Sequence, residues 1–335
     1  MSEITIPEGY VSRLSAYETQ AAIGVLRRRF EKNLAASLNL KRVSAPLFVD
    51  PASGLNDDLN GYERPVRFTV KETGTEAVVV HSLAKWKRMA LYKYGFPQGE
   101  GLYTDMNAIR RDEEMDNLHS IYVDQWDWEK VIAKEDRTLD YLKQTVGAIA
   151  AAVCDTQDEV KSLFPALETT LSRKVTFITS QELEDLYPAL SPKERENAFC
   201  REHKTTFVMQ IGGALKSGKP HDGRAPDYDD WQLNGDLIFW DEVLSCPLEV
   251  SSMGIRVSPE SLKSQLQTAG CPERAELTFH RMLLDGTLPY TMGGGIGQSR
   301  LSMLLLEKCH VGEVQVSLWD EKTESICRSR GVKLL

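Results

Sequence analysis

The chain has 335 residues, of which 41% are hydrophobic and 27% are charged, and its formal net charge is −9 at pH 7. This length can bury the core of one large domain or two modest ones. No run approaches the roughly 20 apolar residues that a membrane helix needs, so we expect no membrane span. An acidic balance without a long block of lysine and arginine also argues against a nucleic-acid partner.

The first residues and the cysteines indicate the expected cellular compartment. Residues 1–7, MSEITIP, lack a basic region followed by an apolar one, so we expect no secretory signal and a cytoplasmic location. The six cysteines are widely spaced with no C-x-x-C pair, which indicates reduced thiols rather than disulfides or zinc ligands. No repeat or Pro/Ser-rich linker divides the chain, so we expect a single domain over residues 1–335.

The N-terminal third begins with an amphipathic pattern. Ala21, Val25 and Phe30 recur at helical spacing, which predicts one long helix over residues 16–37. Residues 40–48 follow, and Pro46 within them favours an edge strand, because proline cannot donate to a ladder. A long helix beside an edge strand can form a dimer surface, so we expect a homodimer.

Strands and helices alternate along the rest of the chain. Clusters of β-branched and aromatic residues predict strands over residues 66–70, 76–80, 120–128, 175–179, 205–211, 235–240, 248–257 and 314–319. Helical periodicity predicts helices over residues 83–94, 137–154, 158–163, 180–187, 192–202, 258–269, 272–285 and 301–307. Because several strands are joined by short links, we expect an α+β fold with a mixed, mostly antiparallel sheet flanked by helices.

A glycine run near the C-terminus, GGGIG over residues 293–297, leads to Arg300 at the start of a predicted helix. Glycine lets the backbone pass close to a ligand, and an arginine at a helix start can meet a phosphate, so the run predicts a nucleotide site. It matches neither the dinucleotide fingerprint nor the phosphate loop, since it lacks both the third glycine and the Lys-Ser/Thr pair. A close-packed turn between a strand and a helix is the alternative.

Two carboxylates are predicted to lie close together on neighbouring strands. If Trp240 pairs near Pro247 across a short turn, Asp236 and Glu249 share a face, with Ser251 beside them. Like charges so close are costly unless a cation lies between them, and Mg²⁺ carrying ATP phosphates binds through a few carboxylate oxygens. The hypothesis is a magnesium–ATP site, and the alternative is a solvated polar face.

Polar residues also alternate along segment 119–130. Gln125, Asp127 and Glu129 share one face, opposite the tryptophans of the same segment. Three polar side chains in a row make a poor core but a good pocket floor for an amino acid, whose ammonium group needs a carboxylate. On the preceding strand, Arg110 can bind a phosphate in bidentate geometry.

Several weaker signals accompany these motifs. Where a strand turns into a helix, Lys87 can point back to the sheet edge, whereas a lone His81 is more often structural than catalytic. Asp57 lies in a loop rich in Gly and Asn, and Tyr228 and Asp229 lie in an acidic loop, for which simple turns are the alternative.

Seven strings occur together in order along nearly the whole chain. They are HSLAKWKR (81–88), GEGLYT (99–104), YVDQWDWE (122–129), RAPDYDDW (224–231), LNGD (233–236), SSMGIR (251–256) and the glycine run that ends at Arg300. Together they resemble asparagine synthetase A, the family of ammonia-dependent aspartate ligases related to the catalytic core of class II aminoacyl-tRNA synthetases. Arg110 and Asp112 fit the class II pattern of an arginine, one residue and an acid.

The resemblance implies a class II synthetase-like fold and a reaction in two steps. ATP activates the side-chain carboxylate of L-aspartate as a β-aspartyl adenylate and releases pyrophosphate, and ammonia then displaces AMP to give L-asparagine. Residue 2 is serine rather than the exposed cysteine of glutamine-dependent synthetases, so free ammonia is the expected nitrogen donor.

The resemblance also implies roles for individual residues. The catalytic residues would be Asp57, Arg110, Gln125 and Arg300; the aspartate site would comprise Asp57, Lys87, Gln125, Asp127, Ser252 and Arg256; the nucleotide site would comprise His81, Arg110, Tyr228, Asp229, Ser251, Gly294, Gly295 and Arg300; and Asp236 with Glu249 would hold Mg²⁺. Two points stay open: either Asp57 or Gln125 guides ammonia, and either Arg110 or Arg111 meets the phosphate.

Two alternative functions remain. An enzyme like aspartyl-tRNA synthetase shares the adenylation chemistry but needs a tRNA-reading domain and a basic surface. A noncatalytic paralogue that binds aspartate or nucleotide would usually have lost charged groups of the adenylation site. Since Arg110, Asp236, Glu249 and Arg300 are all present, the sequence favours a catalyst.

Overall fold

The computed structural model describes residues 4–57 and 63–335. Within these ranges the strands are β1 (Leu40–Arg42), β2 (Phe48–Val49), β3 (Arg67–Thr69), β4 (Glu76–Val79), β5 (Gly101–Ile109), β6 (Tyr122–Val131), β7 (Thr176–Thr179), β8 (Thr205–Met209), β9 (Asp229–Asp241), β10 (Cys246–Arg256) and β11 (Thr291–Gly297). The helices are α1 (Ala16–Leu38), α2 (Ala84–Tyr94), α3 (Leu139–Leu163), α4 (Ser180–Leu186), α5 (Pro192–His203), α6 (Pro259–Thr268), α7 (Thr278–Leu284), α8 (Gln298–Leu305) and α9 (Glu321–Ser329). None of these helices combines the length and the apolar character needed to cross a membrane.

One large sheet organises the molecule. Its eight strands follow the order β1-β5-β6-β11-β10-β9-β8-β7, and the pairings from β5 to β8 are antiparallel. The outermost pairings, β1 with β5 and β7 with β8, are parallel. A separate sheet has the order β2-β4-β3. The predicted α+β fold with a mixed, mostly antiparallel sheet is confirmed.

Two long helices cover one face of the large sheet. α1 begins with a capping box at Ser15, and its apolar positions, among them Leu26 and Phe30, are buried with those of α3 in the main core. Phe30 packs on Trp126 of β6 with ring centroids 4.7 Å apart. Because side chains alternate along a strand, burial of the β6 tryptophans against these helices leaves Gln125 and Asp127 on the other face.

Several predicted elements change their bounds. The segment 40–48 divides into β1, which is an edge strand as predicted, and β2, which belongs to the other sheet. The predicted helices 137–154 and 158–163 are one helix, α3. The predicted helix 272–285 is broken at Leu277, whose backbone is extended, into a 3₁₀ turn (Pro272–Glu276) and α7.

The predicted strand over residues 314–319 is wrong. This segment follows a 3₁₀ turn (Val311–Glu313) and pairs with no strand among the described residues. Val316 and Leu318 are exposed, whereas Gln315 is buried and is held through its side chain by Ser120 and Ser299. The hydrogen bonds of the Gln315 side chain, rather than sheet pairing, therefore hold this segment against the molecule.

Three elements have no counterpart in the sequence prediction: β5, β11 and α9. The glycines of β11 and the polar residues of β5 have low intrinsic strand propensity. Each of these strands is nevertheless hydrogen-bonded on both sides, β5 by β1 and β6, and β11 by β6 and β10. Tertiary pairing therefore overrides local preference in both.

Candidate active site

A cavity of about 670 Å³ opens on the sheet face opposite α1 and α3, and β6, β10 and β11 contribute to its lining. Most of the site residues predicted from the sequence line it: Asp57, Lys87, Arg110, Gln125, Asp127, Tyr228, Asp229, Glu249, Ser252, Arg256, Gly294, Gly295 and Arg300. His81, Asp236 and Ser251 are not part of the lining.

The glycine run is the central strand of the cavity floor rather than a loop. A Cβ atom at Gly295 would lie 2.7 Å from Asp127 Oδ1 and would overlap the side-chain oxygen of Gln125. A Cβ at Gly293 would overlap the carboxylate of Glu129 on the neighbouring β6. The glycines therefore leave room for the polar side chains of β6, so the run is not the turn that the sequence analysis considered.

A buried cation lies at the middle of this floor. Lys87, near the start of α2, places Nζ 2.9 Å from the carbonyl oxygen of Gly294 and 3.2 Å from Asp127 Oδ2. Burial lowers the pKa of Lys87, while the carboxylate of Asp127 opposes that shift. The two contacts fix the direction of the ammonium group before any ligand enters.

Arg256 is held between two buried carboxylates. Its Nη2 lies 2.6 Å from Glu129 Oε2, and its Nη1 hydrogen-bonds Asp229 Oδ1. Burial would raise the pKa of Glu129, but Arg256 and Lys87 outweigh it and hold that pKa below its usual value. Burial raises the pKa of Asp229, which Arg256 opposes. The sequence placed Glu129 on the pocket floor with Gln125 and Asp127, but Glu129 is not part of the cavity lining and instead pairs with Arg256.

Arg110 and Arg300, whose side chains are partly exposed, line another part of the cavity. Arg110 directly follows β5, is 26% exposed, and places Nη1 3.8 Å from Glu113 Oε2. Arg111 is exposed and is not part of the lining. Of the two arginines that the sequence left open, Arg110 therefore lines the cavity and Arg111 does not.

Arg300 is in the first turn of α8, as predicted. Its Nη1 donates to the carbonyl oxygen of Glu249 at 3.2 Å, and its Nη2 lies 2.7 Å from His119 Nε2. A guanidinium group only donates, so His119 accepts at Nε2 and donates from Nδ1 to Asp116 Oδ1 at 2.9 Å. His119 was missed by the sequence analysis, since it lies in a charged loop without periodicity.

The predicted hairpin of β9 and β10 is confirmed, with Trp240 opposite Pro247. A bulge between Glu249 and Ser251 shifts the register, so that Ser252 pairs with Asp236 and Ser251 pairs with Leu237. Asp236 and Glu249 do share a face, but placing Ser251 on that face was wrong. An inserted residue moves every later side chain to the opposite side.

Arg224, which the sequence did not assign, bonds the carboxylate of Asp236. The other oxygen of Asp236, Oδ1, is buried and has no hydrogen-bond partner among residues 4–57 and 63–335. Burial, with the nearby charge of Glu249, raises the pKa of Asp236 to about 6. For Glu249, burial favours the neutral form, but Arg300 and Arg224 outweigh it and lower the pKa.

Asp236 and Glu249 are the carboxylates that the sequence predicted as metal ligands. The described part of the chain contains no group of three or more His, Cys, Asp or Glu residues suited to hold a metal ion. Asp236 and Glu249 are a pair of like charges, and Asp236 Oδ1 is unpartnered within that part. Two carboxylates fit a magnesium ion that takes its remaining ligands from water and phosphate.

His81 and Tyr228 have different environments. His81 is fully buried, and its Nδ1 lies 3.2 Å from the carbonyl oxygen of Asp57, so it supports the loop that carries Asp57. Tyr228 lines the cavity and has the guanidinium of Arg256 5.7 Å from its ring centroid. Burial raises the pKa of Tyr228 well above its usual value.

Solved structures define the fold. The asparaginyl-tRNA synthetase of Entamoeba histolytica in complex with asparaginyl-adenylate superposes with a TM-score of 0.65 at 12% identity, covering 90% of this chain and 66% of that chain. The asparaginyl-tRNA synthetase of Pyrococcus horikoshii complexed with asparaginyl-adenylate gives a TM-score of 0.65 at 16% identity, covering 91% and 70%. The chain therefore has the fold of class II aminoacyl-tRNA synthetases, as predicted.

Sequence relatives define the family. The model of the aspartate-ammonia ligase family matches residues 17–331. The chain is 58% identical to the aspartate–ammonia ligase of Clostridium tetani over 99% of this chain and 98% of the relative. It is 59% identical to that of Lactobacillus acidophilus over 99% of this chain and 100% of the relative. The chain belongs to the aspartate-ammonia ligase family, which confirms the resemblance found in the sequence.

Proposed function

We propose that this chain is an enzyme that uses ATP to join ammonia to L-aspartate. The products are L-asparagine, AMP and pyrophosphate, and the intermediate is a β-aspartyl adenylate. One observation carries the proposal: a single cavity holds a buried set of charges suited to an amino acid and an open set of arginines suited to phosphate. Membership of the family supports the same reaction.

L-Aspartate carries one ammonium group and two carboxylates, and the buried set offers complementary charges. Lys87 and Arg256 are cations for the carboxylates, while Asp57 and Asp127 are acceptors for the ammonium group. Gln125 and Ser252 add neutral polar contacts at the same floor. In this proposal the β-carboxylate is left pointing toward Arg110, where activation takes place.

Adenylation adds negative charge to the α-phosphate as its coordination rises, so fixed cations around that phosphate lower the barrier. Arg110 is proposed to bind the α-phosphate, and Arg300 to contact the nucleotide. His81, Tyr228, Asp229, Ser251, Gly294 and Gly295 are proposed as further elements of the nucleotide site, with His81 and Ser251 acting from behind the cavity surface.

Asp236 and Glu249 are proposed to hold Mg²⁺. When bound, this ion neutralises phosphate charge. Arg224 already neutralises Asp236, and Arg300 contacts Glu249, so the chain keeps both carboxylates paired with cations. Leaving one buried carboxylate without any cation would be costly.

The second step needs neutral ammonia beside the adenylate and an acceptor for the proton that is released. Asp57 and Gln125 both line the cavity, and either is proposed to guide ammonia.

A single catalytic domain over residues 1–335, a cytoplasmic location and a homodimer formed through α1 and β1 are also part of this proposal.

Product analysis tests the reaction. The purified protein is incubated with ATP, Mg²⁺ and L-aspartate, together with either ammonium or glutamine. Asparagine, AMP and pyrophosphate formed with ammonium alone are the expected result. ADP in place of AMP would exclude an adenylate, and no product with either donor would favour a noncatalytic paralogue. Charging of tRNA at a comparable rate would favour the synthetase-like alternative.

A further inference from the structure

α8 begins at a residue that cannot cap it. The N-cap is Gly297, which has no side chain, so the first-turn amides of α8 need acceptors from elsewhere. The amide of Ser299 donates to Asp124 Oδ1 at 3.1 Å, and Asp124 belongs to the neighbouring strand β6. A carboxylate supplied from the sheet therefore replaces the usual capping side chain. Its negative charge also suits the N-terminal end of a helix.

Asp124 is fixed from three directions. Its Oδ1 also accepts from Ser299 Oγ at 2.6 Å and from Gln315 Nε2 at 3.2 Å. Its Oδ2 lies 2.8 Å from Nη2 of Arg27 on α1. Asp124 is only 5% exposed, although the side chain of Arg27 is 37% exposed, and the contacts together hold the carboxylate in one orientation. Gln315 completes the group by donating to Ser299 Oγ at 2.9 Å.

The residue after Ser299 is Arg300. A small rotation of the first turn of α8 would displace the guanidinium of Arg300 from Glu249 and His119, the groups that it contacts. A misplacement of about 1 Å at a reacting phosphate can lower a rate by roughly a hundredfold. We propose that Asp124 is a positioning residue for Arg300, which it orients by capping α8 from β6. The inference rests on the nucleotide-contacting role of Arg300 in the proposed function.

A double-mutant cycle tests this proposal. The variants are D124A, D124N, R300A and D124A/R300A, and the readouts are ATP–pyrophosphate exchange with aspartate, kcat, and the KM values for ATP and L-aspartate. D124A is expected to lower kcat/KM for ATP by between about tenfold and a hundredfold, with the aspartate KM within about twofold of wild type. D124N keeps an oxygen that can accept from Ser299, so it should retain more activity than D124A.

The informative comparison is the effect of D124A in the R300A background. If Asp124 acts through Arg300, removing Asp124 has little further effect once Arg300 is gone, and the two substitutions are strongly non-additive. Equal losses in both backgrounds would overturn the proposal, since Asp124 would then act independently of Arg300. D124N gives the same comparison in a conservative variant should D124A fold poorly, and thermal unfolding is followed for every protein.

Asp105 on β5 offers a matched control. Its Oδ1 accepts from the side chain of Gln298 at 2.9 Å, and its Oδ2 pairs with Arg42 at 2.5 Å. It therefore contacts the first turn of α8, but not the helix backbone. D105A is expected to change kcat/KM for ATP by less than about twofold. A loss as large as that of D124A would overturn the proposal.

An incorrect role for Arg300 and an incorrect role for Asp124 give different results. If wild-type protein makes asparagine and AMP but R300A is fully active, the role of Arg300 is wrong, and the inference about Asp124 falls with it. If R300A loses activity and D124A does not, only the inference about Asp124 is wrong.

Discussion

The two ends of the cavity are built differently. At the closed end the side chains of Lys87 and Arg256, and of Glu129, which pairs with Arg256 outside the lining, are at most 3% exposed, and they come from α2 and the strands of the sheet. At the open end the side chains of Arg110 and Arg300 are 26% and 25% exposed, and they follow a strand or begin a helix. The closed end is organised before substrate binds, whereas the open end leaves donors available for a charged ligand.

In the proposed function this difference between the two ends has a physical reason. Aspartate is small and is recognised by charges at fixed spacing, so a rigid, dry site discriminates well. ATP and pyrophosphate are larger and must enter and leave, so their contacts are better placed on the solvent-facing rim. Substitutions at the closed end should therefore affect both folding and aspartate use, while those at the open end should mainly affect ATP.

The largest effect is expected for Glu129→Gln. This change removes the carboxylate that Arg256 and Lys87 both face, and it leaves a buried guanidinium with Asp229 as its remaining acidic partner. We expect folding stability to fall by about 3 kcal/mol or more. We expect kcat/KM for L-aspartate to fall roughly a thousandfold, which corresponds to about 4 kcal/mol. Urea unfolding and steady-state kinetics measure the two effects.

Thr291→Val is the control for that experiment. Thr291 Oγ1 donates to Glu129 Oε1 at 2.7 Å, so this variant removes one hydrogen bond but keeps the ion pair. A cost of about 1 kcal/mol is expected. If Glu129→Gln is no more harmful than Thr291→Val, the closed end does not depend on its charges.

The second prediction separates Arg110 from Arg111 at the open end. Arg110→Ala is expected to lower turnover by between about a hundredfold and a thousandfold, because it removes a charge proposed to stabilise the transition state. Arg111→Ala is expected to stay within about twofold of wild type, since Arg111 is exposed and is not part of the cavity lining. ATP–pyrophosphate exchange measures both. The opposite ranking would mean that the phosphate contact is Arg111.

The same contrast explains how far the sequence could predict this molecule. The alternation of Gln125 and Asp127 with buried tryptophans predicted the floor of the closed end correctly, because strand geometry fixes which side chains share a face. The bulge beyond Glu249 could not be predicted from the local pattern. It places Ser251 on the sheet face opposite the one that Glu249 shares with Asp236. Register depends on pairing with a partner strand.

The residues missed by the sequence analysis share another property. Arg224 and His119 acquire their roles from partners that are distant along the chain, namely Asp236 and Arg300. The glycine run gave the right region but the wrong conformation, because the pattern does not show that β6 lies beside it. Composition and spacing predicted most of the residues that line one cavity, and the tertiary contacts determine its geometry.

The third prediction concerns the loops beside the open end. His310 is buried, its Nδ1 accepts from the amide of Gly312 at 3.0 Å, and burial lowers its pKa to about 4. An unfolded histidine titrates near 6.5, so the unfolded state binds more protons between pH 6.5 and 4. The contribution of neutral His310 to the free energy of unfolding is therefore fully present above pH 6.5 and is lost as the pH falls toward 4. The loss is about 2 kcal/mol at pH 5.

His310→Asn tests this pH dependence. Asparagine keeps an oxygen that can accept from Gly312 but does not titrate, so the variant should lose less stability than wild type between pH 7 and pH 5. Urea unfolding at both pH values measures the difference. A variant with the same acid sensitivity as wild type would show that other groups cause it.

The smallest change in enzyme kinetics is expected at Asn117, which ties the N-terminal segment to the open end. Its Oδ1 accepts from the amide of Thr5 at 2.9 Å, and its Nδ2 donates to the carbonyl oxygens of Thr5 and Cys309 at 2.8 and 2.7 Å. Asn117→Ala leaves those backbone groups without this partner, at a cost of about 1–3 kcal/mol.

Asn117 is two residues from His119, which contacts Arg300, so loosening this tie should raise the KM for ATP by a few fold and leave the aspartate KM unchanged. Steady-state kinetics with each substrate varied in turn measures both values. Asn107→Ala is a matched control, because Asn107 accepts from Tyr122 on exposed surface. An equal change in both KM values would mean that a change at the open end also alters the closed end. The contrast between the closed end and the open end would then not hold.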